Sequence, residues 1–147
     1  MKTNRIRILA MAAIGLLAAC VYAAPAQGIP AAQGKFTLPS EVRWEGTVLP
    51  AGDYSFSMES ASLPAHILLR GPNGAQFVRP AGISENNPAQ ESYLTIERRG
   101  EWGYVREMYL APLGMHFTFT TPKAPKDQLL AQGPATTERV LISSAGK

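Results

Sequence analysis

The stretch Thr47-Val48-Leu49-Pro50-Ala51-Gly52-Asp53-Tyr54-Ser55-Phe56-Ser57-Met58 decides the fold class. Tyr54, Phe56 and Met58 alternate with Ser55, Ser57 and Glu59. A period of two puts the large apolar groups on one face and the polar groups on the other, as in a half-buried strand. Pro50 presets the backbone of a first turn residue, and Gly52 admits the left-handed conformation that ends such a turn. The stretch therefore predicts a β-hairpin folded about Pro50-Ala51-Gly52.

The same pattern recurs on both sides. Phe36 and Leu38 alternate before the break at Pro39-Ser40. Val42 and Trp44 alternate with Arg43 and Glu45, and Gly46 marks a bulge or bend. Downstream, Met115, Phe117 and Phe119 alternate with His116, Thr118 and Thr120. Pro72-Asn73-Gly74 and Pro112-Leu113-Gly114 repeat Pro-x-Gly, and Arg98-Arg99-Gly100 shares its final glycine; each fits a three-residue hairpin loop. Loops at Pro72 and Arg98 would pair Leu69 with Phe77, Leu68 with Val78, Ile96 with Trp102 and Leu94 with Tyr104. At Pro112 a three-residue loop would set Leu110 against His116. A four-residue loop, Ala111 to Gly114, instead pairs Leu110 with Met115 and Met108 with Phe117, so side-chain face outweighs turn habit.

Between these runs, Pro80 to Pro88 reads as a polar loop. Tyr93 to Arg99, Trp102 to Leu110 and Met115 to Thr121 read as a three-stranded meander. Asp127 to Gln132 fits one or two helical turns. Val140 to Ser143 reads as a last strand that returns to an edge strand. About eight to ten short strands with little helix give an all-β class, an antiparallel β-sandwich or small flattened β-barrel.

The chain of 147 residues suits one domain. Its start is of another kind. Lys2, Arg5 and Arg7 precede an apolar run from Ile8 to Val21, and small residues follow at Ala23, Ala24 and Ala26, the pattern of a secretory signal peptide. The run falls short of the roughly 20 residues of a spanning helix. The expected organisation is a signal peptide over 1–26, a flexible spacer over 27–34 and a single β-domain over 35–147. Export places the protein in the periplasm or outside the cell. Leu17-Ala18-Ala19-Cys20 resembles a bacterial lipobox, so processing before Cys20, with a lipid on its thiol and a membrane anchor, stands beside cleavage after Ala23 or Ala26.

The whole chain carries 14 Lys+Arg and 11 Asp+Glu; without Lys2, Arg5 and Arg7 the balance is 11 against 11. A neutral mature chain lacks the cationic excess that phosphate binding requires, which argues against nucleic acid as a partner. Cys20 is the only cysteine and lies in the leader, so the domain is held by its core and not by a disulfide.

Catalytic and metal motifs are scarce. His66 and His116 are the two histidines, and neither stands in a ligand-spaced motif, so no metal or cofactor is expected. No Gly-x-Ser-x-Gly elbow is present. The four-residue loop puts His116 opposite Tyr109, with Glu107 one pair further along. His116, Tyr109 and Glu107 are thus the candidate ligand-binding cluster, against the plainer reading of a solvated sheet face. Asp53 is expected to accept hydrogen bonds from turn amides. Arg106 is expected at the rim or paired with Glu59 or Glu91.

Phe36 to Phe56, with Leu49-Pro50-Ala51-Gly52-Asp53-Tyr54 at its end, and the later Thr121-Pro122-Lys123 resemble a family of small exported bacterial β-domain proteins of Acidobacteria type. The resemblance implies fold and export and carries no catalytic residue. The expected function is a non-enzymatic exported envelope protein, a binding or structural β-domain whose partner is an envelope protein, a glycan or an apolar ligand. The alternatives are a small hydrolase-like enzyme using His116 and nearby carboxylates, and a barrel carrying lipid or another apolar ligand. A filled core with a polar exterior separates the first from the third. A cleft joining His116 to a carboxylate and an oxyanion donor would mark the second.

Overall fold

The computed structural model describes residues 30–85, 91–122 and 135–144. Cys20, the leader and the Asp127 to Gln132 segment lie outside the described residues. The described chain is all-β: a curled, mixed sheet that forms a half-barrel. Its strands are β1 (Ala32–Leu38), β2 (Val42–Trp44), β3 (Thr47–Leu49), β4 (Gly52–Met58), β5 (Ile67–Gly71), β6 (Gly74–Val78), β7 (Gly82–Glu85), β8 (Ser92–Arg99), β9 (Trp102–Leu110), β10 (Met115–Thr118) and β11 (Thr136–Ser144). The order across the sheet is β3-β2-β9-β8-β11-β1-β4-β5-β6, with β10 joined to β9 and β7 to β10.

The alternation in the opening stretch holds: Tyr54, Phe56 and Met58 are buried, and Ser55 and Ser57 face outward. The hairpin does not. β3 pairs with β2, and β4 pairs with β1 and β5, so Pro50-Ala51-Gly52 is a corner between two halves of the sheet. The true hairpin lies just before it. Glu45 and Gly46 both have positive φ, 48° and 84°, and Trp44 pairs with Thr47, as in a two-residue type I′ turn. Expecting Gly46 as a bend was right in kind; its partner in the turn is Glu45.

Two other registers differ by turn length. Gly71 pairs with Gly74, so the β5–β6 loop has two residues, and Ile67 faces Val78 while Leu68 faces Phe77. Arg99 pairs with Trp102, and Ile96 faces Val105. The shorter loops keep Ile67, Leu69 and Ile96 on the inner face, which burial rewards more than a preferred turn shape. The four-residue loop at Ala111 to Gly114 is present, with Leu110 on Met115 and Met108 on Phe117. Gly114 closes it at φ 63°.

β9 has one extra residue. Ile96 pairs with Val105 but Thr95 pairs with Glu107, so Arg106 is the bulge. The bulge switches parity: Gly103 and Val105 point inward before it, Met108 and Leu110 after it. This explains why apolar residues stand on both faces of β9 in the sequence. Arg106 leans outward to Glu97 at 3.3 Å and to Thr121 Oγ1 at 2.7 Å, not to Glu59 or Glu91.

Three expectations change because of long-range pairing. Ala32 to Gly34 belong to β1, where Ala32 faces Met58, so the strand begins inside the stretch read as spacer. The loop read over Pro80 to Pro88 contains β7, whose Phe117–Ile83 pairing covers one edge of β10. β11 does not lie on an edge. It pairs with β8 along Thr136 to Ile142 and with β1 through Ser143 and Ser144, joining the two halves. The sheet is also not wholly antiparallel, since β2 runs parallel to β9.

Apolar side chains from both halves meet in one cluster built on Trp44, Phe36, Tyr54, Met58, Leu94 and Phe117, with many smaller neighbours. Phe36 stacks on Tyr54 at 5.6 Å, and Trp44 and Phe119 meet edge to face at 5.0 Å. Tyr54 donates its hydroxyl to Pro50 O at 2.9 Å, tying the corner to the core. Desolvation raises the Tyr54 pKa above the ordinary 10.0. A raised folded-state value means the neutral ring favours the fold below pH 10.0 and that this contribution fades as pH climbs through the folded value. Tyr54→Phe is expected to weaken the fold at neutral pH and to show a shallower alkaline loss than the parent, checked by urea unfolding at pH values either side of 10.0. Equal alkaline slopes would remove Tyr54 as the source.

Candidate functional site

The outer face of β11, β8, β9, β10 and β7 carries the sequence-derived candidates. Strand pairing lines up Leu141, Tyr93, Tyr109, His116 and Ser84 as one row across five strands. His116 therefore lies opposite Tyr109, as the loop length required. The rings are in contact: Tyr109 to His116 is 4.6 Å, Tyr93 to Tyr109 is 5.4 Å and Tyr93 to His116 is 6.2 Å. Tyr109 is fully buried yet is not part of the interior cluster, so it is covered on the outer face.

Glu107 is half-buried and stands in the next row, between Thr95 and Thr118, with Arg139 beyond Thr95. Such a diagonal spans roughly 7–8 Å between Cα atoms. Arg139 places its guanidinium 4.6 Å from the Tyr93 ring centre, a cation–π contact. The fold thus brings His116 and Tyr109 together directly and adds Tyr93 and Arg139, which the sequence reading did not include. Tyr93 enters because β8 lies beside β9 in a register set by the Arg106 bulge. Nothing local to Tyr93 signals that.

The ring neighbours of His116 make the row a packed aromatic strip. Nucleophilic catalysis needs a nucleophile, a base and an orienting group in mutual contact. The serine in this row, Ser84, is on the β7 side of His116, and the carboxylate is a row away. Among the described residues no three His, Cys, Asp or Glu side chains gather as a metal site.

Further hollows involve the half of the sheet built on β1, β4, β5 and β6. A broad open groove of about 1110 Å³ runs from the outer face of β1, β4 and β5 to the β9–β10 turn. Its walls carry Lys35 and Arg70 against Asp53 and Glu91, two charges of each sign. Asp53 accepts a hydrogen bond from its cross-strand neighbour Thr37 at 2.6 Å, in place of the turn amides expected for it. A second, smaller pocket of about 470 Å³ is lined by His66, Pro64 and Phe77. His66 is an exposed loop residue, as its sequence context suggested.

A separate charge cluster surrounds the β8–β9 hairpin. Glu97 accepts from Arg99 at 2.6 Å and lies 3.3 Å from Arg106, and Arg98 pairs with Glu138 at 2.9 Å and also reaches Ser40. Such partly exposed pairs contribute about 0–1 kcal/mol each. No family model, no curated protein and no solved structure matches the chain.

Proposed function

We propose that this chain is an exported envelope protein whose β-domain acts by binding and not by catalysis. The observation that carries the reading is the filled interior. Side chains from both halves of the sheet close on one another around Trp44, Met58, Leu94, Met108 and Phe117, each at most 1% exposed. Among the described residues, interior packing of this kind speaks against a lipid carried between the two halves of the sheet. Among the described residues, the broad groove and the 470 Å³ pocket are lined by charged and hydroxyl groups as well as apolar ones. The aromatic row at His116 offers stacking surfaces for a ligand. Export rests on the leader pattern and on the resemblance through Leu49-Pro50-Ala51-Gly52-Asp53-Tyr54.

Native mass spectrometry of the protein purified from its own envelope tests this. The expected spectrum shows a chain without its leader, carrying a non-covalent adduct. A chain that retains the leader overturns export. A bare mature mass, with or without prior cross-linking, overturns binding. A lipid mass on Cys20 would assign the membrane anchor over cleavage after Ala23 or Ala26.

A further inference from the structure

Phe77 is the most exposed large apolar side chain among the described residues, at 67%. It lies on the outer face of β6, at the end of the row Gln33, Ser57, Leu68, Phe77. Its cross-strand neighbour Leu68 is half-buried, and the two form the apolar floor of a pocket. The 470 Å³ pocket stands on this floor, and its other walls are Ser57, Glu59, Ser60, Pro64 and His66. That volume is within the range of roughly 300–1,000 Å³ typical of small-molecule sites. The wall is shaped before any ligand arrives: Ser62 N–H donates to Ser60 Oγ at 3.2 Å, and Ser60 and Ser62 hydroxyls bond at 3.0 Å.

The chemistry of the lining narrows the ligand. A wholly apolar molecule would strip water from Glu59, His66 and two serines without replacing their hydrogen bonds. An anionic group would face the Glu59 carboxylate. A neutral sugar satisfies both surfaces. Its ring presents a flat array of C–H bonds to Phe77 and Leu68. Its hydroxyls, which both donate and accept, match an acceptor-only carboxylate, an imidazole and serine hydroxyls. A β-linked ring with equatorial hydroxyls has C–H bonds on both faces and suits the floor best. Resting on the binding role proposed above, we infer that this pocket holds a pyranose unit of a neutral, β-linked glycan, with Phe77 as the stacking platform and Glu59 as the hydroxyl acceptor.

Amide NMR of the 15N-labelled protein, produced from the full chain and titrated with cellotriose and with chitotriose to about 20 mM, tests the assignment. The expected result is saturable shifts centred on Leu68, Phe77 and His66 with at least one of the two sugars. Phe77→Ala should weaken that binding by about tenfold or more, and Glu59→Gln by a smaller factor. Both side chains are exposed, so neither change should disturb the fold. Absence of shifts with both sugars overturns the inference, as does binding that Phe77→Ala leaves intact. Shifts at Phe77 that depend on protein concentration without sugar would assign the patch to a second copy of the chain and also overturn it. If sugars fail while the envelope-purified protein still carries an adduct, the glycan class falls and the binding role stands. If the adduct is missing too, both fall.

Discussion

Trp44→Ala is expected to destabilise the domain by about 3–5 kcal/mol, the range for deleting a large buried aromatic. Trp44 is 0% exposed although β2 has only three residues. Its indole spans the interior, 6.1 Å from Phe36 on β1 and 5.0 Å from Phe119 beyond β10. Those neighbours belong to different parts of the curled sheet, so the hole left by alanine cannot close by moving one strand. A loss of this size is a large share of the roughly 5–15 kcal/mol that holds a typical domain together. Trp44→Phe should cost clearly less. The indole Nε1 is buried without a hydrogen-bond partner among the described residues, and phenylalanine removes that uncompensated donor along with some volume. Urea unfolding followed by far-UV circular dichroism measures both. A loss below about 1 kcal/mol for Trp44→Ala would mean that the ring does not fill the space between the two halves.

Gly52→Ala is the second large effect, for two separable reasons. Gly52 has φ 146°, a backbone region that a side chain enters only with strain. A Cβ there would also lie 2.9 Å from Cγ of Pro72, at the β5–β6 turn. The strain contributes about 1–3 kcal/mol. The collision adds about 1–3 kcal/mol more, because the ring of Pro72 is stiff. Gly46→Ala is the control: φ is 84° but nothing lies within 4 Å of the added Cβ. Gly52→Ala should therefore cost more than Gly46→Ala, and Pro72→Ala in the same chain should restore part of the difference, as a double-mutant cycle would show. If the two glycine changes cost the same, the corner is not packed against Pro72.

The corner shows what local sequence conveys and what it does not. Period-two alternation at Tyr54, Phe56 and Met58 is a property of the backbone and of water, and it is legible in any half-buried strand. The choice of partner strand is a different matter. Leu49 pairs with Val42 and Phe56 pairs with Gly34 and Leu69, because those pairings let both flanks of the corner bury their apolar faces. A turn motif of Pro, Ala and Gly is compatible with a hairpin or a corner, so its residues could not discriminate.

At the site the division is equally specific. His116 opposite Tyr109 was readable because loop length and side-chain face in one local hairpin left a single register. Tyr93, Arg139 and the Phe77 pocket were not, since each depends on strands brought together from afar or on a one-residue change of turn length. The residue sequence was sufficient for the class of fold, the inward faces of its strands and the local β9–β10 pairing, all consequences of period two acting over a few neighbours. The order of strands, the bridging place of β11, the parity switch at Arg106 and the surface hollows arose only when distant strands competed to bury one shared core, an energy that no short stretch contains.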